Sequence, residues 1–218
     1  MRKNIIALSL LCATAAPFSI HAAGLFDSVK NLTSGTDLSA LTGSGSGESA
    51  VSQDSLVNAY IAANKQILLA ESRMAKALGA SEAAALAKAE ADALSSGATM
   101  DNLSKSDSVQ SDVSKAIAER QNDTGNKMDA ASKKEYAAGL GLLGKGMLQY
   151  AGLTSKFSSF KNSLLTVSPL ALTKLQAGAY IVQSFPGNSK NVYTTLTQAV
   201  SYAKGNDIPV PADATKAL

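Results

Sequence analysis

The chain has 218 residues, enough to bury the core of one domain, and carries 20 Lys and Arg against 17 Asp and Glu. This near balance gives no argument for nucleic acid as a partner. The one cysteine is Cys12 and the one histidine is His21, so the chain after residue 21 cannot form a disulfide, a thiolate or imidazole catalytic group, or a zinc site built on these ligands. We therefore expect no cofactor and no metal.

Residues 1–22 have the pattern of a secretory signal peptide. Arg2 and Lys3 precede an apolar run, and residues 20–22 offer a small-residue cleavage site. The apolar run is too short for a transmembrane helix. The sequence therefore predicts an exported protein, periplasmic or secreted, that starts at Ala23 after cleavage.

Residues 23–53 divide into a short amphipathic arm and a linker. The arm has apolar side chains at helical spacing, namely Leu25, Phe26, Val29 and Leu32. The remainder is rich in serine, threonine and glycine, a composition typical of flexible linkers.

Residues 54–206 are predicted to form a helical bundle domain. Its first helix is expected to start at the N-cap Asp54 and to end at Leu78, with Gly79 after it. One apolar stripe runs along this helix and contains Leu56, Tyr60, Ala63, Ile67, Ala70, Met74 and Ala77. An alanine-rich helix over residues 81–96 and a solvent-facing helix over residues 100–121 should follow.

The central stretch, residues 136–184, is apolar around most of a helix and should be buried. We expect a helix over residues 128–167, either continuous or broken at Gly152. A stripe of small side chains predicts a packing seam formed by Ala137, Gly141, Gly144 and Ala151. Interior glycines cost helix stability, so tight helix contacts should offset that cost at this seam.

The last helices are expected over residues 168–184 and 189–204, separated by a break at Pro186 and Gly187. Residues 207–218 are predicted to form a Pro-containing tail that is first extended and then loose. The predicted fold class is therefore all-α, a bundle of about five to six helices with a flexible N-terminal arm and an extended C-terminal tail.

No catalytic residue is predicted. The paired carboxylates are Glu90 with Asp92, Asp107 with Asp112, and Asp123 with Asp129. All lie in hydrophilic segments, where we expect solvated helix faces and no burial that would raise a carboxyl pKa. Residues 139–144 match the letters GxGxxG, but the match lies inside a helical pattern and follows no strand. We therefore expect a protein that is not an enzyme.

Four residues of the central stretch are candidates for binding. Lys145 and Lys174 are each the single charge in a long apolar segment, and Tyr150 and Tyr180 are amphipathic aromatic side chains. Residues 136–206 contain six lysines and no carboxylate. This distribution indicates first a basic half that is solvated or packs against the acidic half of the chain, and as the alternative a segment suited to an anionic surface.

Two functions follow from these patterns. The first is an exported, non-enzymatic interaction or binding module of the cell envelope or secreted fraction, with an unidentified protein as its partner. The alternative is a membrane-active protein, pore-forming or lipid-surface-binding, that uses the Gly-rich segment 136–184 and anionic lipid.

Overall fold

A computed structural model describes residues 53–95 and 98–218 of the chain. The predicted signal peptide, the arm, the linker up to residue 52 and Gly97 lie outside the described residues. The described part contains helices and no strand, and the helices are α1 (Gln53–Ala77), α2 (Ser81–Ala93), α3 (Met100–Asn122), α4 (Ala130–Leu164), α5 (Pro169–Leu172), α6 (Gln176–Gly205) and α7 (Ala212–Lys216). Five of these helices are long and two are short, which confirms the predicted all-α bundle.

Helix α1 is the centre of the bundle and packs against α2, α3, α4 and α6. Helices α2 and α4 run antiparallel to it, whereas α3 and α6 run parallel to it. The whole predicted apolar stripe of α1 is buried, from Leu56 to Ala77. Burial of this stripe, about 25 cal/mol per Å² of apolar surface, drives the association of the other helices with α1.

The helix ends follow the local sequence. Gly79 has a φ of +75° just after α1, a conformation that favours glycine. Thr99 and Asn102 form a capping box at the start of α3, and Asp129 caps α4 by accepting a hydrogen bond from the Ser132 amide. Helix α4 continues through Gly152 without a break. Helix α2 ends at Ala93, three residues before the predicted end.

The predicted helices over residues 168–184 and 189–204 are wrong in their boundaries. Only the short α5 forms at the start, and α6 then runs unbroken from Gln176 to Gly205 with Pro186 inside it. Proline costs a helix about 3 kcal/mol in its interior. Burial of Phe185 before the proline and of Val192 after it offsets that cost, because both side chains lie on the core face of one helix.

The prediction of a loose C-terminal end is also wrong. After Asn206 the chain turns at Asp207, which has a φ of +55°, and buries Ile208. Helix α7 then packs against α4 with Ala214 fully buried. The physical reason lies in Gly144 of α4: a Cβ atom there would stand 2.5 Å from the backbone of Asp213 and Ala214.

Glycines therefore let α4 pack closely on two sides. Towards α7, Gly144 is buried and Gly141 faces Pro211, whose side chain would lie 3.3 Å from an added Cβ. Ala137 is partly buried, and Ala151 is exposed, so Ala151 does not belong to the predicted packing seam.

The side of α4 that faces α1 uses two other glycines. A Cβ atom at Gly139 would meet Met74 at 2.7 Å and the backbone oxygen of Ala70 at 2.8 Å, and one at Gly146 would meet Ile67 at 2.6 Å. Close approach of α4 to α1 thus depends on glycines that the predicted seam omitted.

Candidate functional site

A group of polar side chains crosses the core between α1, α3, α4 and α6, with the carboxylate of Asp107 at its centre. Oδ1 of Asp107 accepts a hydrogen bond of 2.9 Å from Asn64. Oδ2 accepts hydrogen bonds from Tyr180 at 2.7 Å and from Asn188 at 2.6 Å. The Tyr60 hydroxyl lies 2.9 Å and 3.0 Å from the two oxygens. The Asp107 cluster, as we call it, consists of Tyr60, Asn64, Asp107, Tyr150, Tyr180 and Asn188.

Aromatic packing holds the cluster in place. The ring of Tyr150 stacks on that of Tyr60, with centroids 5.6 Å apart and planes at 10°. Phe185 meets both rings edge to face, at 6.4 Å and 5.3 Å. The Tyr150 hydroxyl donates a hydrogen bond to Oδ1 of Asn64, which orients the Asn64 amide group towards Asp107. The hydroxyl groups of Tyr60 and Tyr150 are thus held in place by the packing of their rings.

The electrostatics of the cluster follow from its burial. Burial raises the pKa of the Asp107 carboxyl group, and the hydrogen bonds from Tyr180, Tyr60, Asn64 and Asn188 oppose that rise. Burial also raises the pKa of Tyr60, Tyr150 and Tyr180 above the ordinary value of 10.0. The tyrosines therefore stay protonated and act as hydrogen-bond donors.

A second carboxyl group, that of Glu71, is fully buried about two turns further along α1. Its Oε1 accepts hydrogen bonds from Ser114 at 2.5 Å and from Gln110 at 3.5 Å, both on α3. Its Oε2 has no hydrogen-bond partner among the described residues. Burial raises the pKa of Glu71 from 4.5 to about 8, so this group is largely protonated at neutral pH.

This interior is a polar core that meets the surface at Tyr180 and Asn188, which are partly exposed. No described lysine or arginine forms an ion pair with Asp107 or Glu71. Tyr60, Asn64 and Tyr150 have at most 1% of their surface exposed, so a substrate cannot reach them without helix displacement. In the described part of the chain, no three His, Cys, Asp or Glu side chains are grouped as metal ligands would be.

The structure places the four candidate binding residues in two environments. Tyr150 and Tyr180 meet in the Asp107 cluster, where their hydroxyl groups bond other members of it. Lys145 is exposed on α4, with its ammonium group 3.8 Å from the Asp213 carboxylate. Lys174 is exposed in the connection before α6. The two lysines lie away from the cluster and from each other.

The prediction that the paired carboxylates are exposed is wrong for two of them. Asp107 and Glu90 are buried, and Glu90 forms an ion pair of 2.8 Å with Lys105. Helix α3 is likewise not simply solvent-facing, because it buries Ser106, Asp107 and Gln110. Polar side chains of this helix pack against α1 through hydrogen bonds, which a hydrophobicity pattern does not register.

Sequence reasoning missed Asn64, Asp107, Asn188 and Glu71. A signal exists on α1, where Asn64 and Glu71 are seven residues apart and each follows a core alanine, Ala63 or Ala70. Their positions continue the buried face of the helix. For Asn188 the interpretation as a loop residue after Pro186 concealed its place on the core face of α6.

The connection between α4 and α6 forms a second candidate site, and residues 161–175 are here called the α4–α6 tip. Leu165 is 80% exposed and Leu170 is 59% exposed, which makes them the most exposed large apolar side chains in the described part. Lys161 and Lys174 are exposed at the two ends of the tip. Gln53, at the start of α1, lies at its base and donates a hydrogen bond of 3.1 Å to the backbone oxygen of Lys174.

Comparison of the chain with protein-family models, with curated proteins and with solved structures gave no match. None of the described helices combines the length and the hydropathy that crossing a membrane requires.

Proposed function

We propose that this chain is an exported, non-enzymatic binding protein that acts through an exposed surface. Its largest group of mutually bonded polar side chains, the Asp107 cluster, lies between four helices and joins them through hydrogen bonds. Such a network supports a unique arrangement of the helices. Binding is therefore assigned to the surface of the bundle.

The observation that carries this proposal is the exposure of Leu165 and Leu170 on the α4–α6 tip. Large apolar side chains that stay this exposed lose the stabilisation that burial would give them, roughly 1.5–3 kcal/mol each. A tip that presents two of them between two lysines fits a contact made with a partner of negative charge.

The alternative, a membrane-active protein, takes its support from the same tip and not from the glycines. Gly139, Gly144 and Gly146 are occupied by contacts with α1 and α7, so the Gly-rich part of α4 serves helix packing within the bundle. A lipid-surface-binding form needs no rearrangement of these contacts, whereas a pore-forming one does.

A photo-crosslinking amino acid at position 165 tests the proposal in the cells that make the protein. We expect adducts, with protein or with lipid, from position 165 and none from position 86, because Leu86 is an exposed leucine (46%) on α2, away from the tip. Fractionation of the same cells locates the protein and its adducts. Equal labelling from both positions, or none from either, would contradict a surface-binding function centred on the tip.

A further inference from the structure

We propose that the α4–α6 tip docks reversibly on the surface of a bilayer that contains anionic lipid. This inference rests on the proposed function and names the partner of the same surface. It joins two features: the two exposed leucines, and the lysines at the two ends of the same tip.

The tip projects past Gln53, the first described residue of α1. Gln53, the first residue of α1, lies at the same height in the bundle as Gly178 and Phe160. Its Oε1 accepts a hydrogen bond of 3.0 Å from the Gly178 amide. A Cβ atom at Gly178 would in turn lie 2.5 Å from the Phe160 ring. Residues between 161 and 173 therefore extend past the start of α1. Leu165 and Leu170 lie in this projecting part.

The charges of the tip favour an anionic surface. Lys161 and Lys174 belong to the tip, which contains no carboxylate. Asp54 follows Gln53 and so lies near Lys174 at the base of the tip, and Lys156, which donates a hydrogen bond of 3.1 Å to Ser55, offsets the charge of Asp54 there. Attraction to anionic lipid falls off within a Debye length, so Lys161 and Lys174, at the two ends of the tip, give it a net positive charge where it matters.

A bilayer suits this tip better than a folded protein does. Stable protein–protein interfaces use roughly 20–30 residues on each side and depend on matching shape. The tip is a connection of 15 residues (161–175) in which Leu165 and Leu170 are large, exposed apolar side chains. A lipid surface requires no complementary shape and accepts apolar side chains below its headgroups.

The strength of this contact should be low, because one small apolar anchor gives only marginal, reversible membrane binding and stable attachment takes two signals.

The proposal is tested by co-sedimentation with lipid vesicles. The protein is purified from the cells that produce it. Vesicles of phosphatidylcholine alone are compared with vesicles that also contain phosphatidylglycerol. We expect binding to the anionic vesicles only, weakened by added salt, and roughly tenfold weaker after Leu165→Ser with Leu170→Ser or after Lys161→Glu with Lys174→Glu. The matched controls are Leu86→Ser and Lys204→Glu, at exposed positions away from the tip, and they should bind vesicles like the parent protein. Circular dichroism checks that every variant is folded.

Three results would overturn the proposal: no binding to anionic vesicles, equal binding to both kinds of vesicle, or equal loss in tip and control variants. Crosslinking from position 165 distinguishes a failure of the binding function from a failure of the lipid surface as its partner. Protein adducts from this position, together with indifference to vesicles, would leave the binding function in place and refute the lipid surface. Absence of both adducts and vesicle binding would refute both.

Discussion

Ser114 on α3 donates a hydrogen bond of 2.5 Å to Oε1 of Glu71 on α1. The side chain of Glu71 is fully buried in the core. Asp107 makes a similar connection two turns earlier on α3, through Tyr60 and Asn64. Helix α3 is therefore attached to the bundle by buried carboxyl groups as well as by apolar contacts.

The first prediction concerns pH. The folded-state pKa of Glu71, about 8, lies above its ordinary value of 4.5, so between these values the folded state holds a proton that the unfolded state has lost. Stability from this group is therefore present at low pH and lost as pH rises towards 8. Glu71→Gln keeps the hydrogen bonds and removes the titration. We expect the free energy of unfolding of the parent to fall relative to this variant by on the order of 4 kcal/mol between about pH 5 and pH 9.

Urea denaturation at several pH values measures this difference. Glu82→Gln is the matched control because Glu82 is exposed on α2, and it should leave the pH profile of the parent unchanged. A Glu71→Gln variant that follows the parent at every pH would show that Glu71 titrates normally.

The second prediction concerns the centre of the cluster. Asp107→Ala removes the acceptor for Tyr60, Asn64, Tyr180 and Asn188 at once and leaves buried donors unsatisfied. We expect a loss of about 3–5 kcal/mol in the free energy of unfolding. Asp112→Ala, on the same helix, should cost less than about 1 kcal/mol, because its ion pair of 3.3 Å with Lys115 is exposed. Similar costs for both variants would mean that the cluster contributes little to stability.

The third prediction compares two glycines of α4. Gly144→Ala places a methyl group 2.5 Å from the backbone of α7, so it should destabilise the protein by about 1–3 kcal/mol. Gly152→Ala should stabilise it by up to about 1 kcal/mol, because nothing lies within 4 Å of the added Cβ. Thermal unfolding measures both. In a chain that ends before residue 211, Gly144→Ala should lose its cost, and a cost that persists there would place the clash elsewhere.

The fourth prediction concerns the proline inside α6. Pro186 is exposed, and α6 continues on both sides of it. Pro186→Ala restores a backbone donor without removing a core contact, so the melting temperature should rise, with a gain of up to about 3 kcal/mol. Gly187→Ala, next to it and with nothing within 4 Å of the added Cβ, should add up to about 1 kcal/mol. A lower melting temperature for Pro186→Ala would indicate that the bundle requires the bend that proline imposes.

Much of the fold could be predicted because apolar side chains recur at helical spacing. The stripe from Leu56 to Ala77 gave the buried face of α1 correctly, and turn residues such as Gly79 gave helix ends. The errors arose where tertiary contacts outweigh local preference. Pro186 ends most helices, but Phe185 and Val192 secure α6 on both sides of it, and the tail packs only because Gly144 leaves space for it.

The candidate site was harder to predict, because polar side chains normally mark exposed positions. Asp107 lies in a serine-rich helix of low hydropathy, and nothing in its neighbourhood along the chain reveals four donors from two other helices. Tyr150 and Tyr180 were selected as binding residues for their amphipathic rings, and those rings bring them to the cluster. The exposure of Leu165 depends on the turn between α4 and α5, which apolar spacing does not specify.

The Asp107 cluster also sets the order in which the protein can assemble. Tyr60 bonds Asn188, a partner 128 positions later, and Asn64 bonds Tyr150, 86 positions later. When α1, α2 and α3 leave the ribosome, the residues that complete their interior have not yet been synthesised. Contacts of such long range slow folding and leave apolar surface open in the meantime. The interior of this protein therefore closes only after α6 has been synthesised, and until then the α1 stripe is a surface that chaperones can bind.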